Sequence, residues 1–135
     1  MKTLFSILCC GLFVCAGCAG AHNSNSGEQH LERIKLWHVV IVHLNNPDDA
    51  EARQRLIDAS HTFRQIKGVE AVYVGKMIPG DRPHQDSSFD VGIAMGFRSK
   101  EDLAAYATDP IHLKAVNGIL KPLARDWTIY DFANE

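Results

Sequence analysis

No cysteine follows Cys18 in this chain of 135 residues. Cys9, Cys10, Cys15 and Cys18 all stand in the leading segment. The remainder can therefore hold neither a disulfide framework nor a multi-cysteine zinc site. There is no excess of basic charge: 14 Lys and Arg stand against 16 Asp and Glu, for a formal charge of −2. That balance leaves no electrostatic footprint for nucleic acid, and no nucleic-acid partner is expected. The G-x-S-x-G, G-x-G-x-x-G, Walker and H-E-x-x-H patterns are all missing, and no repeat of solenoid length occurs. What is present is ordinary globular composition, 46% apolar and 22% charged, at a length suited to one domain.

The leading segment reads as an address. Lys2 precedes an apolar run from Thr3 to Val14, and the small residues Ala16-Gly17-Cys18 follow. A positive charge, a short apolar stretch and small residues form signal-peptide grammar. The run is too short for a transmembrane span of about 20 apolar residues. The segment resembles a bacterial lipoprotein signal, with residues 1–17 removed and Cys18 lipidated. Two or three acyl chains would give a stable membrane anchor. Ala19 after Cys18 resembles outer-membrane sorting in a Gram-negative host. The expected place is thus the bacterial cell envelope, on the periplasmic side of the outer membrane in such a host. Cys15-Ala-Gly-Cys18 also has C-x-x-C spacing, but no other ligand pattern accompanies it. Residues 18–34 are small and polar and read as a tether; His22 and His30 within it read as solvated.

Residues 35–135 read as a single domain. Leu36 to Leu44 is a continuous apolar run closed by Asn45-Asn46-Pro47, as expected of a strand covered on both faces. Acidic Asp48 and Asp49 open a helix whose apolar stripe is Ala52, Leu56, Ala59, Phe63 and Ile66, with Gly68 as its stop. Val69 to Ile78 reads as a second strand, with Val69, Ala71 and Tyr73 on one face. A polar loop, residues 79–88, leads to Phe89–Phe97, where Phe89, Val91, Ile93, Met95 and Phe97 alternate with Asp90, Gly92, Ala94 and Gly96. Glycines on one strand face suggest close approach by a ligand or another backbone. Ser99 caps a helix through Tyr106, and Asp109-Pro110 restarts it with Leu113, Val116 and Leu120 as the stripe, until Pro122. Asp126–Phe132 is the last strand.

The order β-α-β-β-α-β is the ferredoxin-like arrangement of an α+β fold. Two helices cover one face of a four-stranded sheet, and both faces are apolar here. A second copy is the economical cover, giving a homodimer with sheets face to face around an eight-strand α/β barrel. Room for a ligand is expected on the small-residue face of Asp90, Gly92, Ala94 and Gly96.

Several residues together carry a family resemblance. They are His38, Gly68-Val69, Gly75, Phe89-Asp90, Phe97 to Tyr106, Asp109-Pro-Ile-His112, Leu120 to Leu123 and Asp131-Phe132. With them the segment from Leu36 to Phe132 resembles the stress-responsive dimeric A/B barrel family, Dabb. The resemblance implies a homodimer with a ligand-sized cavity between sheet and helices. One plant branch is a polyketide cyclase that needs neither metal nor cofactor. Its catalytic tyrosine and histidine match Tyr106 and His112, and a cavity histidine matches His38. This chain has Asp109 where the family often has histidine.

The resemblance therefore makes Tyr106 and His112 the catalytic candidates and His38 a ligand-binding one; Asp90 joins it from the pattern of its strand. In such chemistry His112 would remove a proton beside a carbonyl while the Tyr106 hydroxyl stabilised the enolate oxygen. Each also has a structural reading. Tyr106 falls one turn after Leu103, as a core tyrosine would, and His112 is where local hydrogen bonds would fix it. Asp90 could equally point to solvent at a sheet end. His38 and His43 lie on opposite faces of one strand, so no metal pair is expected.

The leading expectation is a lipid-anchored envelope protein whose barrel binds a small apolar or aromatic molecule, in a stress setting taken from the family name alone. The alternative is a cofactor-free enzyme, cyclase-like or monooxygenase-like, using His112 and Tyr106. A third is a structural dimer whose barrel is filled by side chains.

Overall fold

The structure, a computed structural model, describes residues 31–134. The signal segment, Cys18 and the histidines His22 and His30 lie outside the described residues. Among the described residues no helix is long and apolar enough to cross a membrane.

Four strands form one antiparallel sheet: β1 (Leu36–Leu44), β2 (Val69–Lys76), β3 (Val91–Phe97) and β4 (Ala124–Ala133), in the spatial order β2-β3-β1-β4. Helix α1 (Ala50–His61) joins β1 to β2, ending in a 3-10 turn (Thr62–Gln65). Helix α2 (Lys100–Thr108), helix α3 (Pro110–Ala115), a π turn (Val116–Leu120) and a last short turn α4 (Lys121–Leu123) join β3 to β4. This is the ferredoxin-like α+β arrangement that the element order implies.

The helices begin where local chemistry tells them to. An Asp or Ser side chain offers an oxygen to backbone N–H groups that have no partner within the helix. Asp49 accepts from Ala52 N at 2.8 Å, Ser99 from Asp102 N at 3.1 Å and Asp109 from Ile111 N at 2.8 Å. Pro110 occupies the first turn of α3, where its missing N–H costs nothing.

One sheet face packs on the helices. Leu36, Val40, Val42 and Leu44 of β1 and Val91, Ile93, Met95 and Phe97 of β3 are buried there with Leu56, Phe63, Ile66 and Val72. The other face is covered among the described residues only at its margins, by Ile34 over Gly96 and Phe89 over Gly92. It carries Trp37, Val39 and Ile41 of β1, and Tyr73, Tyr130 and Phe132 are each more than half exposed.

Several local readings of the sequence change. Val69 does not share a face with Ala71: a bulge at Glu70 sets Val69 opposite Phe97 and Ala71 opposite Gly96, so Val69 packs with the core. Glu70, at the bulge, pairs with Arg98 at 2.5 Å. Leu113 is 43% exposed, because the inward stripe of this segment runs through His112, Ala115, Val116 and Leu120 instead. Ile34, grouped with the tether by its sequence, is 1% exposed and packs over Gly96. The start of β1 and the end of β4 are pinned together there, with Asn134 N bonded to Lys35 O at 2.9 Å.

Candidate functional site

A cavity of about 170 Å³ lies between the helical layer and the inner sheet face. Its walls are mainly apolar: Val40, Leu56, Phe63, Ile93, Met95, Val116, Leu120, Trp127 and Ile129. Its titratable lining residues are His38, Tyr106 and His112. Three residues expected to serve the site are therefore brought together from β1, α2 and α3.

Tyr106 is fixed by the Ser99 cap, which starts α2 so that its buried side meets the sheet. It is 2% exposed. Its ring lies 5.5 Å from Phe63, 5.3 Å from Phe97, 5.9 Å from His38 and 4.3 Å from His112, centroid to centroid. Burial pushes its hydroxyl well above the ordinary phenol value, so it remains protonated and serves as a donor. Among the described residues that hydroxyl has no hydrogen-bond partner.

His112 is placed by the Asp109 cap in the first turn of α3. Its Nδ1 is 3.0 Å from the Ala107 carbonyl, near the end of α2, where helix carbonyls run out of intrahelical donors. A carbonyl only accepts, so Nδ1 carries the proton and the lone pair of the neutral ring is on Nε2. Burial lowers its proton affinity; the Ala107 bond works against that, the nearby His38 adds to it, and Asp109 opposes it. The net result is a neutral imidazole at neutral pH.

His38 points to the inner face of β1, and its partner was not legible from sequence. Asp131 stands opposite it across the β1–β4 pair, and Asp131 Oδ1 lies 2.6 Å from His38 Nδ1. The carboxylate accepts, so Nδ1 of His38 carries a proton and donates it. The only available signal was the Asp131-Phe132 pair itself, noted for the family resemblance and not for a role.

Asp90 is elsewhere. It does not line this cavity; its carboxylate accepts from Leu44 N at 2.7 Å and sits 4.0 Å from the Arg53 guanidinium. It ties the start of β3 to the end of β1. The cavity also lies on the opposite face from the one where the strand glycines suggested room. The space above Gly96 is filled by Ile34, whose Cδ1 would sit 2.6 Å from an added Cβ. Above Gly75 an added Cβ would meet nothing within 4 Å. His38 and His43 fall on opposite faces of β1, and among the described residues no group of three or more His, Cys, Asp or Glu is placed to hold a metal ion.

The arrangement offers one neutral donor, the Tyr106 hydroxyl, one imidazole acceptor, His112 Nε2, and the Asp131-bound imidazole of His38 in an apolar chamber. Such a set can hold a polar group on an apolar molecule. It can also take a proton from carbon while the phenol meets the oxygen that gains charge.

Residues 36–134 match the profile of the Stress responsive A/B Barrel Domain family, Dabb. No curated protein matches the chain. Among solved structures, a Dabb-family protein with a ferredoxin-like fold from Mesorhizobium loti is similar at 20% identity and TM-score 0.63, over 76% of this chain and 98% of that one. A dimeric ferredoxin-like protein of unknown function from Thermobifida fusca is similar at 18% identity and TM-score 0.61, over 75% and 92%. A hydroxynitrile lyase from Passiflora edulis is similar at 13% identity and TM-score 0.64, over 76% and 95%.

Proposed function

The chain belongs to the stress-responsive A/B barrel domain family, and on that footing we propose that it binds a small apolar or aromatic molecule in the cavity beneath its helices. The observation that carries this reading is the unpartnered Tyr106 hydroxyl at an apolar cavity of about 170 Å³. The hydroxyl lines the cavity, where an acceptor on a ligand can meet it at a net gain of about 0.5–1.5 kcal/mol.

The working unit is a homodimer. The outer sheet face with Tyr73, Tyr130 and Phe132 supports it, as do the dimeric structural relatives. The protein is held in the bacterial envelope by lipid on Cys18, on the strength of Lys2, the apolar run and Ala16-Gly17-Cys18. In a Gram-negative host this is the periplasmic side of the outer membrane. Inhibiting the lipoprotein signal peptidase should accumulate an uncut precursor, and processing that continues unchanged would refute the anchor.

Native mass spectrometry of the chain from residue 19 onward tests the dimer and its ligand together. A dimer with extra bound mass is the expected result. A bare monomer at micromolar concentration would overturn the dimer.

One observation favours a second reading, a cofactor-free enzyme. His112 donates through Nδ1 to Ala107 and so presents a basic Nε2 beside the Tyr106 phenol. A protein of similar fold from Passiflora edulis is an enzyme, a hydroxynitrile lyase. Acetophenone in D₂O is a suitable probe: an enzyme of this kind should exchange its methyl protons for deuterium. His112→Gln and Tyr106→Phe should abolish the exchange, whereas a pure binding protein would show none.

A further inference from the structure

Resting on the reading of the cavity as a ligand site, we infer that its preferred occupant is a neutral, single-ring aromatic alcohol of the phenol type, whose hydroxyl accepts from Tyr106 and donates to Nε2 of His112.

Size comes first. An apolar cavity of about 150 Å³ engineered into a protein core takes up benzene. The cavity here is about 170 Å³. One ring and one substituent fit that space; a second fused ring requires the walls to move, and close-packed walls resist this.

Polarity comes next. The Tyr106 hydroxyl is open to an acceptor in the cavity, since no described residue supplies one. His112 Nε2 is open to a donor there, because Nδ1 is already committed to the Ala107 carbonyl. The two rings are 4.3 Å apart, so one ligand group can meet both. A hydroxyl both accepts and donates, and therefore satisfies the pair with one atom. A plain hydrocarbon would leave both unpaired, and a ketone would satisfy only the tyrosine.

Charge decides the rest. No Lys or Arg lines the cavity. Its neighbour His38 is bonded to the Asp131 carboxylate. A carboxylate or phenolate would enter an apolar chamber with no Lys or Arg to meet it, beside the Asp131 carboxylate, and would lose its hydration. The neutral alcohol avoids that penalty.

Fluorine NMR of the full chain in detergent micelles, with empty micelles as the blank, tests this with four probes: 4-fluorophenol, fluorobenzene, 4-fluorobenzoate and 4-fluoro-1-naphthol. 4-Fluorophenol should bind about tenfold or more tighter than fluorobenzene, the gain expected of two hydrogen bonds. 4-Fluorobenzoate and the naphthol should bind weakly or not at all. In Tyr106→Phe and His112→Gln, each checked for folding by circular dichroism, the preference for the phenol should shrink while fluorobenzene affinity stays. Equal binding of 4-fluorophenol and fluorobenzene would overturn the alcohol while keeping the cavity as a ligand site. Preference for the benzoate would overturn neutrality, and equal binding of the naphthol would overturn the one-ring limit. Failure of all four probes would instead refute the ligand-site reading on which the inference rests.

Discussion

His38 and Asp131 face each other across neighbouring strands, and their side chains meet at 2.6 Å on the cavity side of the sheet. The histidine is nearly buried and the aspartate is half exposed. The pair fixes which nitrogen of His38 is free. Asp131→Ala should therefore lower stability by about 1 kcal/mol, the usual worth of a partly solvated hydrogen bond to a charged group. Urea denaturation measures it. The His38→Gln/Asp131→Ala double variant should lose less than the sum of the single variants, because the two share one interaction.

Stability should fall on acidification in a way that depends on His112. A free imidazole takes its proton near pH 6.5, and burial holds His112 below that in the folded chain. Above about pH 6.5 both states are neutral and the residue contributes nothing. Below it the unfolded chain binds a proton that the folded chain resists, so unfolding gains until the lower folded value is reached. Denaturation midpoints measured from about pH 7 down to about pH 5 should fall less steeply in His112→Gln. Identical slopes would mean that His112 titrates as a free imidazole.

Gly96 is held to glycine by one neighbour. A Cβ there would lie 2.6, 2.9 and 3.0 Å from three side-chain atoms of Ile34, which is itself buried. Gly96→Ala should cost about 1–3 kcal/mol, the typical penalty of overpacking. In an Ile34→Ala background the same change should cost almost nothing more. Thermal unfolding of the four proteins closes the cycle.

Val39 occupies the centre of the outer sheet face, opposite Ala94 on β3 and Tyr130 on β4. Val39→Asp should convert a dimer to a monomer, since an unpaired carboxylate would be buried between the sheets. Light scattering after size exclusion reads the mass directly. A dimer that survives would place the interface elsewhere.

What the sequence made legible was local or periodic. The caps at Ser99 and Asp109 need only the next three residues, and each bonds as expected; Asp49, read only as an acidic opening, caps as well. The alternation through β1 and β3 marks the buried face because side chains alternate in any strand. The bulge at Glu70 was not legible, because it exists only in the pairing of β2 with β3. The His38–Asp131 contact was missed for the same reason: 93 residues separate them, and only the register of β1 on β4 joins them. The resemblance put a cavity between sheet and helices, where one lies; on the glycine face Ile34 fills the space at Gly96, while a hollow remains beside Gly75, Gly92 and Ala94. Leu113 was misplaced because its apolar side chain put it in the stripe, whereas the polar His112 beside it holds the inward position.

That π turn bears on how the family scaffold can change. A π turn holds one residue more than the α turn it replaces, and one residue is about 100° of helix. Losing a single residue, Gly118 for instance, would let Val116–Leu120 close to α geometry, with the helix on either side keeping its heading because the turn itself absorbs the extra residue. Ser99, Asp109 and the sheet would stay as they are, and the change would fall on the short stretch between Val116 and Leu120 that borders the cavity. One codon deleted here would thus reshape one edge of the chamber while sparing the frame.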